Sequence, residues 1–497
     1  MALRLYNSLT HSLDTFQPLA PDGPVTIYVC GMTPSFHPHL GHARTFLTFD
    51  VLRRYMASQG YAVRYVQNVT DIDDRIIERA ATEGVPWDAI VKRYLAEYEE
   101  CAVRLGLMKP DFEPRATHEI ASLIEIIAGL VAKGAAYESG DGVYFAVDEG
   151  VFPRYGELSN QSIDELRAGV RVAVREDKRG RLDFALWKKA KPGEPAWESP
   201  WGPGRPGWHI ECSAMARRYL GDQIDIHGGA ADLIFPHHEN EVAQTETLTG
   251  KHPMACFWIH AGLLNVDGQK MSKSLGNFTP LTEMLDRHPA AVIRYLFLQT
   301  GYRKPTNFTE ESIEAAGKGL RGMYADLDLL RKTSAAANDG PAPAADLREF
   351  NAYLDDDLNT AGAVGWLQTY LKSALKATRD GAAHAAGDAT SSARAIATAQ
   401  QALHIFGLPA DAEAAGLTQQ RRELALSTLA RLELRKLAGE HPADDAELVD
   451  KVVALREKAR AAKNWAMSDA LRDALGRAGI ALKDTPKGSE WSVDGGR

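Results

Sequence analysis

Residues 27–44, IYVCGMTPSFHPHLGHAR, constrain the fold more than any other stretch of this 497-residue chain. The apolar run from Val25 to Val29 has the β-branched and aromatic content of a short buried strand. Gly31, Pro34, Pro38 and Gly41 then break regular structure, and LGHARTFLTFDVLRRYMASQG resumes at helical period. A strand, loop, helix unit is expected, its helix starting near Leu40 or Gly41. Free backbone N–H groups and the positive dipole end would face the loop beside His39 and His42, an anion seat suited to phosphate. An HxGH segment alone also occurs as ordinary loop and cap residues, so a second stretch must decide.

That stretch is DGQKMSKSLGN, residues 267–277, just after the strand-like run from Ala255 to His260. A Gly-marked turn is followed by Lys270 and Lys273, flexible point charges able to track phosphate oxygens through a reaction. Alone it reads equally as a solvated turn. In this order, HPHLGHAR and KMSKS resemble the paired signatures of class I aminoacyl-tRNA synthetases.

The length implies several domains, and 45% hydrophobic with 25% charged residues is the composition of an ordinary globular protein. No apolar run approaches the roughly 20 residues of a membrane span, and no signal-like N-terminus is seen, so a cytoplasmic location is expected. Cys30, Cys101, Cys212 and Cys256 form no CxxC pair, which fits a reducing compartment. A net charge of −9 argues against indiscriminate nucleic-acid coating.

Along the chain, a second strand is expected over residues 61–69. In TDIDDRIIERA, Asp71, Asp73 and Asp74 suit helix capping better than a metal. Helices over 86–107 and 117–133 precede a hairpin over 136–147, with irregular chain from there to Pro206 that holds a basic run suited to an RNA stem or to solvent. A strand at QIDIHGG and helices at GWHIECSAMARRYL and FPHHENEVAQTETLTG complete an alternation typical of a parallel sheet with ligands at its C-terminal edge. The expected fold is α/β: a Rossmann-type catalytic domain in two halves, residues 1–115 and 207–265, around a connective insertion at 116–206. A KMSKS and stem-contact region (266–332), a helical bundle (346–408) and a small mixed C-terminal domain (417–497) follow, with helices at 281–299 and 310–331 and a terminal strand pair.

Cys30, Cys212, and His237 with Glu241 one helical turn apart are the right donor types for zinc. Two buried cysteines and a capping histidine read as readily, and His238 and Glu239 are expected to point elsewhere. Here VCGMT, NVTDIDDRI, GWHIECSAM, DIHGG with FPHHENE, and KMSKSLGN together resemble cysteinyl-tRNA synthetases from about Tyr28 to the last strand. The resemblance implies one catalytic zinc on those four residues that also takes the substrate thiolate, and a reaction of L-cysteine, ATP with Mg2+, and tRNA(Cys). It implies ATP-site roles for Gly31, Thr33, His39, His42, Gly229, Asp232, Lys270 and Lys273, of which the two histidines and two lysines act in catalysis. Thr70 and Trp208 would hold the amino acid, and Arg460, Trp465, Asp469 and Asp484 would read the anticodon. DDDLNTAGAV from Asp355 resembles the family's bundle entry, and a monomer is expected. Residues 34–38 depart from the usual pattern of this family, which leaves the pocket wall there open. The alternatives are a cysteine:amino-sugar ligase of mycothiol biosynthesis, whose relatives lack the RNA-reading tail, and a non-catalytic RNA-binding paralogue, which would not need the lysines and donors.

Overall fold

Val25, Ile27, Tyr28 and Val29 are all fully buried, so the first central strand is apolar on both faces, as in a sheet covered on both sides. This strand, Val25–Met32, lies between Val63–Val69 and Ile224–Ala230, with Ala255–Ala261 outside the latter, and every pairing is parallel. The chain runs from Val25–Met32 to one side and later returns on the other, creating a switch point at the strands' C-terminal ends. The computed structural model describes residues 2–169, 178–270, 278–333, 346–379, 389–417, 428–438, 445–485 and 488–493. It divides into one unit of Met1–Leu281 with Ala290–Ala415 and another of Thr282–Pro289 with Gly416–Arg497.

In the first unit, helices Ile120–Ala132, Trp208–Leu220 and Glu239–Thr249 pack together around Tyr28, Cys30, Leu123, Met215 and Val242. Helix Leu40–Ser58 is buried almost all round, charged groups included. Its Asp50 is held by Arg294 Nη1 at 2.6 Å and Arg54 Nε at 2.9 Å. Arg294 also donates to the carbonyls of Leu105 (2.9 Å) and Phe406 (3.1 Å), tying the helices Ala290–Leu298 and Ala389–Phe406 to this core. Burial raises the Asp50 carboxyl, but the two guanidiniums outweigh it and hold it below the ordinary carboxylate range.

Two expectations change. The chain between residues 148 and 206 is not irregular throughout: Phe184–Lys189 and Gly204–Pro206 extend the Ala136–Ser139/Gly142–Phe145 hairpin into a four-stranded antiparallel sheet. Residues 281–299 form two helices, Leu281–Arg287 and Ala290–Leu298, because Pro289 has no N–H to continue the first. The basic run at 170–177, the linker at 334–345 and the bundle loop at 380–388 lie outside the described residues.

The second unit has helices Thr428–Ala438, Asp445–Ala461 and Trp465–Arg477 and the antiparallel hairpin Ile480–Thr485/Gly488–Val493. Leu434, Val449, Val452, Leu471 and Leu475 form its core.

Candidate active site

A cavity of about 480 Å3 opens at the switch point, between the ends of Val25–Met32 and Ile224–Ala230. Gly31, Thr33, His39, His42, Thr70, Trp208 and Asp232 line it, together with Cys30, Cys212 and His237. Gly31 is there for space: a Cβ would lie 1.6 Å from the Asn68 carbonyl oxygen, where the neighbouring strand shifts register. Gly229 does not line the cavity; its missing side chain makes room for the His238 ring, 3.0 Å from where a Cβ would sit. Lys270 ends a two-residue strand paired with Leu264–Val266, while Lys273 lies in 271–277, outside the described residues.

His39 caps the helix Leu40–Ser58. Its Nδ1 accepts the Gly41 N–H at 3.1 Å, and His42 Nδ1 accepts the His39 N–H at 3.3 Å. The rings stack with centroids 3.8 Å apart in a reciprocal cap. With Nδ1 accepting, each neutral ring carries its proton on Nε2. Burial, then His39 and Arg75, hold His42 well below the usual imidazole range, so it is an uncharged N–H donor at neutral pH. The motif suggests free backbone N–H groups here; two are taken by the imidazoles, and ring N–H groups replace them.

The structure brings Cys30, Cys212, His237 and Glu241 together, with all donor atoms within 4.8 Å of one another. Cys30 Sγ is 3.6 Å from Cys212 Sγ and 3.5 Å from Glu241 Oε1, and His237 Nε2 is 3.1 Å from the same carboxylate oxygen. A tetrahedral zinc with bonds of 2.0–2.3 Å needs donors about 3.3 to 3.8 Å apart, so the set fits. Burial raises the Cys30 thiol and the Glu241 carboxyl far above their ordinary values and pushes the His237 imidazole down. Two acids reluctant to ionise beside an imidazole reluctant to take a proton make a pocket that a dication would stabilise. Cys30, His227 and His238 form an overlapping cluster, but neither of those histidines lines the cavity.

Those histidines brace the donors. His227 Nε2 lies 2.8 Å from Glu241 Oε2, and His209 Nδ1 lies 3.0 Å from His237 Nδ1. His238 does not point elsewhere: its Nε2 is 3.3 Å from Cys30 Sγ, and its Nδ1 begins a relay through His260 to Ser8 Oγ at 2.8 and 2.7 Å. Ordinary helical spacing is the cause: Glu241 lies four residues after His237 and three after His238, so both rings reach it, and the backbone kink falls earlier, at the extended Phe235. Glu239 does turn away, accepting from the Gly156 and Ser159 N–H groups at 2.8 Å each.

Residues 15–318 match the family described as tRNA synthetases class I (C) catalytic domain, and residues 445–491 match the cysteinyl-tRNA ligase anticodon binding domain. The chain is 42% identical over 503 residues to a cysteine–tRNA ligase of Geobacter metallireducens, covering 99% of this chain and 100% of that one. It is 44% identical over 498 residues to one of Ectopseudomonas mendocina, with coverage of 99% and 100%. The chain belongs to the cysteine–tRNA ligase family. The fold is shared with Mycobacterium tuberculosis methionyl-tRNA synthetase bound by methionyl-adenylate, at a TM-score of 0.59 and 17% identity over 84% of this chain and 95% of that one. Among the described residues, no helix of this family member is long and apolar enough to cross a membrane.

In the second unit, Trp465 is 59% exposed at the start of its helix, and Asp469 is exposed one turn on. Arg460 Nη1 pairs with Asp484 Oδ1 at 2.8 Å, and Asp484 also accepts from both Arg456 Nη atoms at 2.8 and 3.0 Å. Asp484 therefore positions two arginines, and those bonds, that of Arg456 first, lower its pKa.

For this ligase family the sequence reading missed Arg75, the single Arg or Lys among the described residues lining the cavity. Its guanidinium lies 5.7 Å from the Trp208 ring. Asp73 hides it in the sequence by explaining the whole segment as a cap. His209, His227 and His260 were signalled only by an unusual density of histidines at strand and helix ends.

Proposed function

We propose that this chain joins L-cysteine to tRNA(Cys) in two steps, with zinc on Cys30, Cys212, His237 and Glu241 beside the site of adenylation. The observation that carries this is two thiols and an imidazole in the wall of the same cavity as the His39/His42 pair, with a carboxylate converging on them. In the first step a cysteine carboxylate oxygen bonds to the α-phosphorus of ATP, the α–β P–O bond breaks, and pyrophosphate leaves. In the second a ribose hydroxyl of the tRNA terminus bonds to the carbonyl carbon and AMP leaves. Neither step needs a protein nucleophile; positioning and charge stabilisation suffice.

His39 and His42 give Nε2–H donors to the phosphates, and Arg75 supplies a fixed positive charge between phosphate and amino-acid carboxylate. Lys270 and Lys273 follow the departing pyrophosphate, and Mg2+, when bound with ATP, would offset its charge. Thr70, Asp232 and Trp208 orient the substrates. Bound zinc would supply a sulfur-preferring Lewis acid that lowers the substrate thiol's pKa, which a serine hydroxyl cannot match. A plain pocket would separate the two side chains by only about 1–3 kcal/mol. Trp465, Asp469 and Arg460, the last set by Asp484, present a stacking ring and polar groups to the anticodon. The ligase works as a cytoplasmic monomer.

Pyrophosphate exchange tests the reading. It is expected to require cysteine, ignore serine and fail after chelation; equal exchange with serine would overturn it.

A further inference from the structure

A second cavity, about 360 Å3, shares Phe46 with the first and is lined by Tyr65, Tyr98, Ala102, Met108 and Glu113 among others. Its rim is apolar and open: Val103 is 79% exposed. The aromatic wall is fixed by hydrogen bonds, Tyr65 OH to Gln67 Oε1 at 3.1 Å and Gln67 Nε2 to the Tyr98 oxygen at 2.6 Å. Tyr98 is buried, and its hydroxyl proton has no acceptor among the described residues.

The charges lining this cavity are unequal in their satisfaction. Arg53 is used up, bonded to both Asp111 oxygens at 3.1 Å and to the Lys109 carbonyl at 2.7 Å, and Asp50 is held by Arg294 and Arg54. Glu113 is half-buried without a hydrogen-bond partner among the described residues, and Glu99 bears on it with like charge. The Lys109 and Arg115 charges offset this in part, and the net effect of burial and Glu99 raises the Glu113 carboxyl.

We propose that this cavity binds a small organic cation with an aromatic body, its ring against Phe46, Tyr65 and Tyr98 and its ammonium or amidinium at Glu113. Ring packing favours the aromatic body against the three side chains, and the Glu113 carboxylate favours the cation. The site is distinct from the substrate cavity but communicates with it, because Phe46 packs on His42 at 6.3 Å and against Tyr98 at 5.4 Å, ring centre to ring centre. An occupant that moves Tyr98 therefore moves the ring behind one ATP-side histidine.

The test uses the full chain with cysteine and a non-hydrolysable ATP analogue filling the first cavity, and titrates benzylamine, benzyl alcohol and benzoate by calorimetry and ligand-observed NMR. Benzylamine is expected to bind about tenfold tighter than benzyl alcohol, and benzoate not at all. Glu113→Gln should abolish the preference, Glu99→Gln at an exposed position should reduce it, and Ala102→Trp should block all binding while exchange activity persists. Equal affinities for amine and alcohol, a preference that survives Glu113→Gln, or displacement of benzylamine by the ATP analogue would each overturn the proposal. If Glu113→Gln fails to fold, Glu99→Gln and Ala102→Trp still decide it.

Discussion

The Trp208 ring lies on the His237 imidazole, centroids 4.3 Å apart and planes 26° from parallel, so one of the four converging donors is covered by a residue of the cavity wall. Trp208→Ala should raise KM for cysteine about tenfold, the weight of one lost aromatic contact, with little change in KM for ATP. Exchange kinetics check this; unchanged KM for cysteine would remove Trp208 from the substrate site.

Arg75, which lines the cavity and pairs with Asp73 at 2.9 Å, carries the proposed contact to phosphate and carboxylate. Arg75→Ala should cut kcat/KM in exchange about a hundredfold, as expected for one charge-assisted bond strengthened at the transition state, while leaving metal content unchanged. Lysine should rescue only part of it, lacking the planar fork. A variant with full exchange activity would count against the assignment.

Removing either sulfur donor should remove the metal. Cys212→Ser is expected to lose stoichiometric zinc by elemental analysis together with cysteine-dependent exchange, because an uncharged hydroxyl replaces a thiolate. A variant without zinc but with native exchange would show that the cluster is structural.

The Asp50–Arg294 pair predicts a pH-dependent stability. The folded Asp50 pKa lies below the ordinary value of 3.8, so the stabilisation is present above that value and is lost as pH falls through the folded one. Arg294→Met should destabilise its unit by about 3–5 kcal/mol near neutrality, by leaving a buried carboxylate short of a partner. Thermal unfolding should show a gap between variant and wild type that is widest near neutrality and narrows as pH falls, because burial without Arg294 pushes the variant's Asp50 carboxyl up and protonation relieves it.

Trp465→Ala should leave pyrophosphate exchange intact and weaken tRNA charging about tenfold or more through KM for tRNA, the worth of one stacked base. Aminoacylation of purified tRNA measures it, and unchanged charging would sink the role.

Much of this was legible in advance where local chemistry and tertiary structure agree. The strand from Val25, the helix start near Leu40, the Asp73 cap and the terminal hairpin follow from patterns of a few residues. Convergence was not so written. Nothing in spacing says that Cys30 and Glu241, 211 positions apart, lie 3.5 Å from each other; donor type and resemblance suggested it. His238 was misjudged because neighbours about 100° apart were taken to diverge, whereas residues three and four before Glu241 both lie beside it on a helix. The insertion's sheet was missed because Gly204–Pro206 is three residues of glycine, arginine and proline, which carry no strand signal until the Phe184–Lys189 edge is there to pair with.

The Arg294 junction also sets an order of events on the ribosome. The guanidinium donates to the Phe406 carbonyl, made 112 residues later, so for roughly ten seconds of synthesis that acceptor is still untranslated. Nascent chains halted between those two points should therefore be more open to proteases around Ala290–Leu298 than chains halted after Phe406, and trigger-type chaperones should release only the latter.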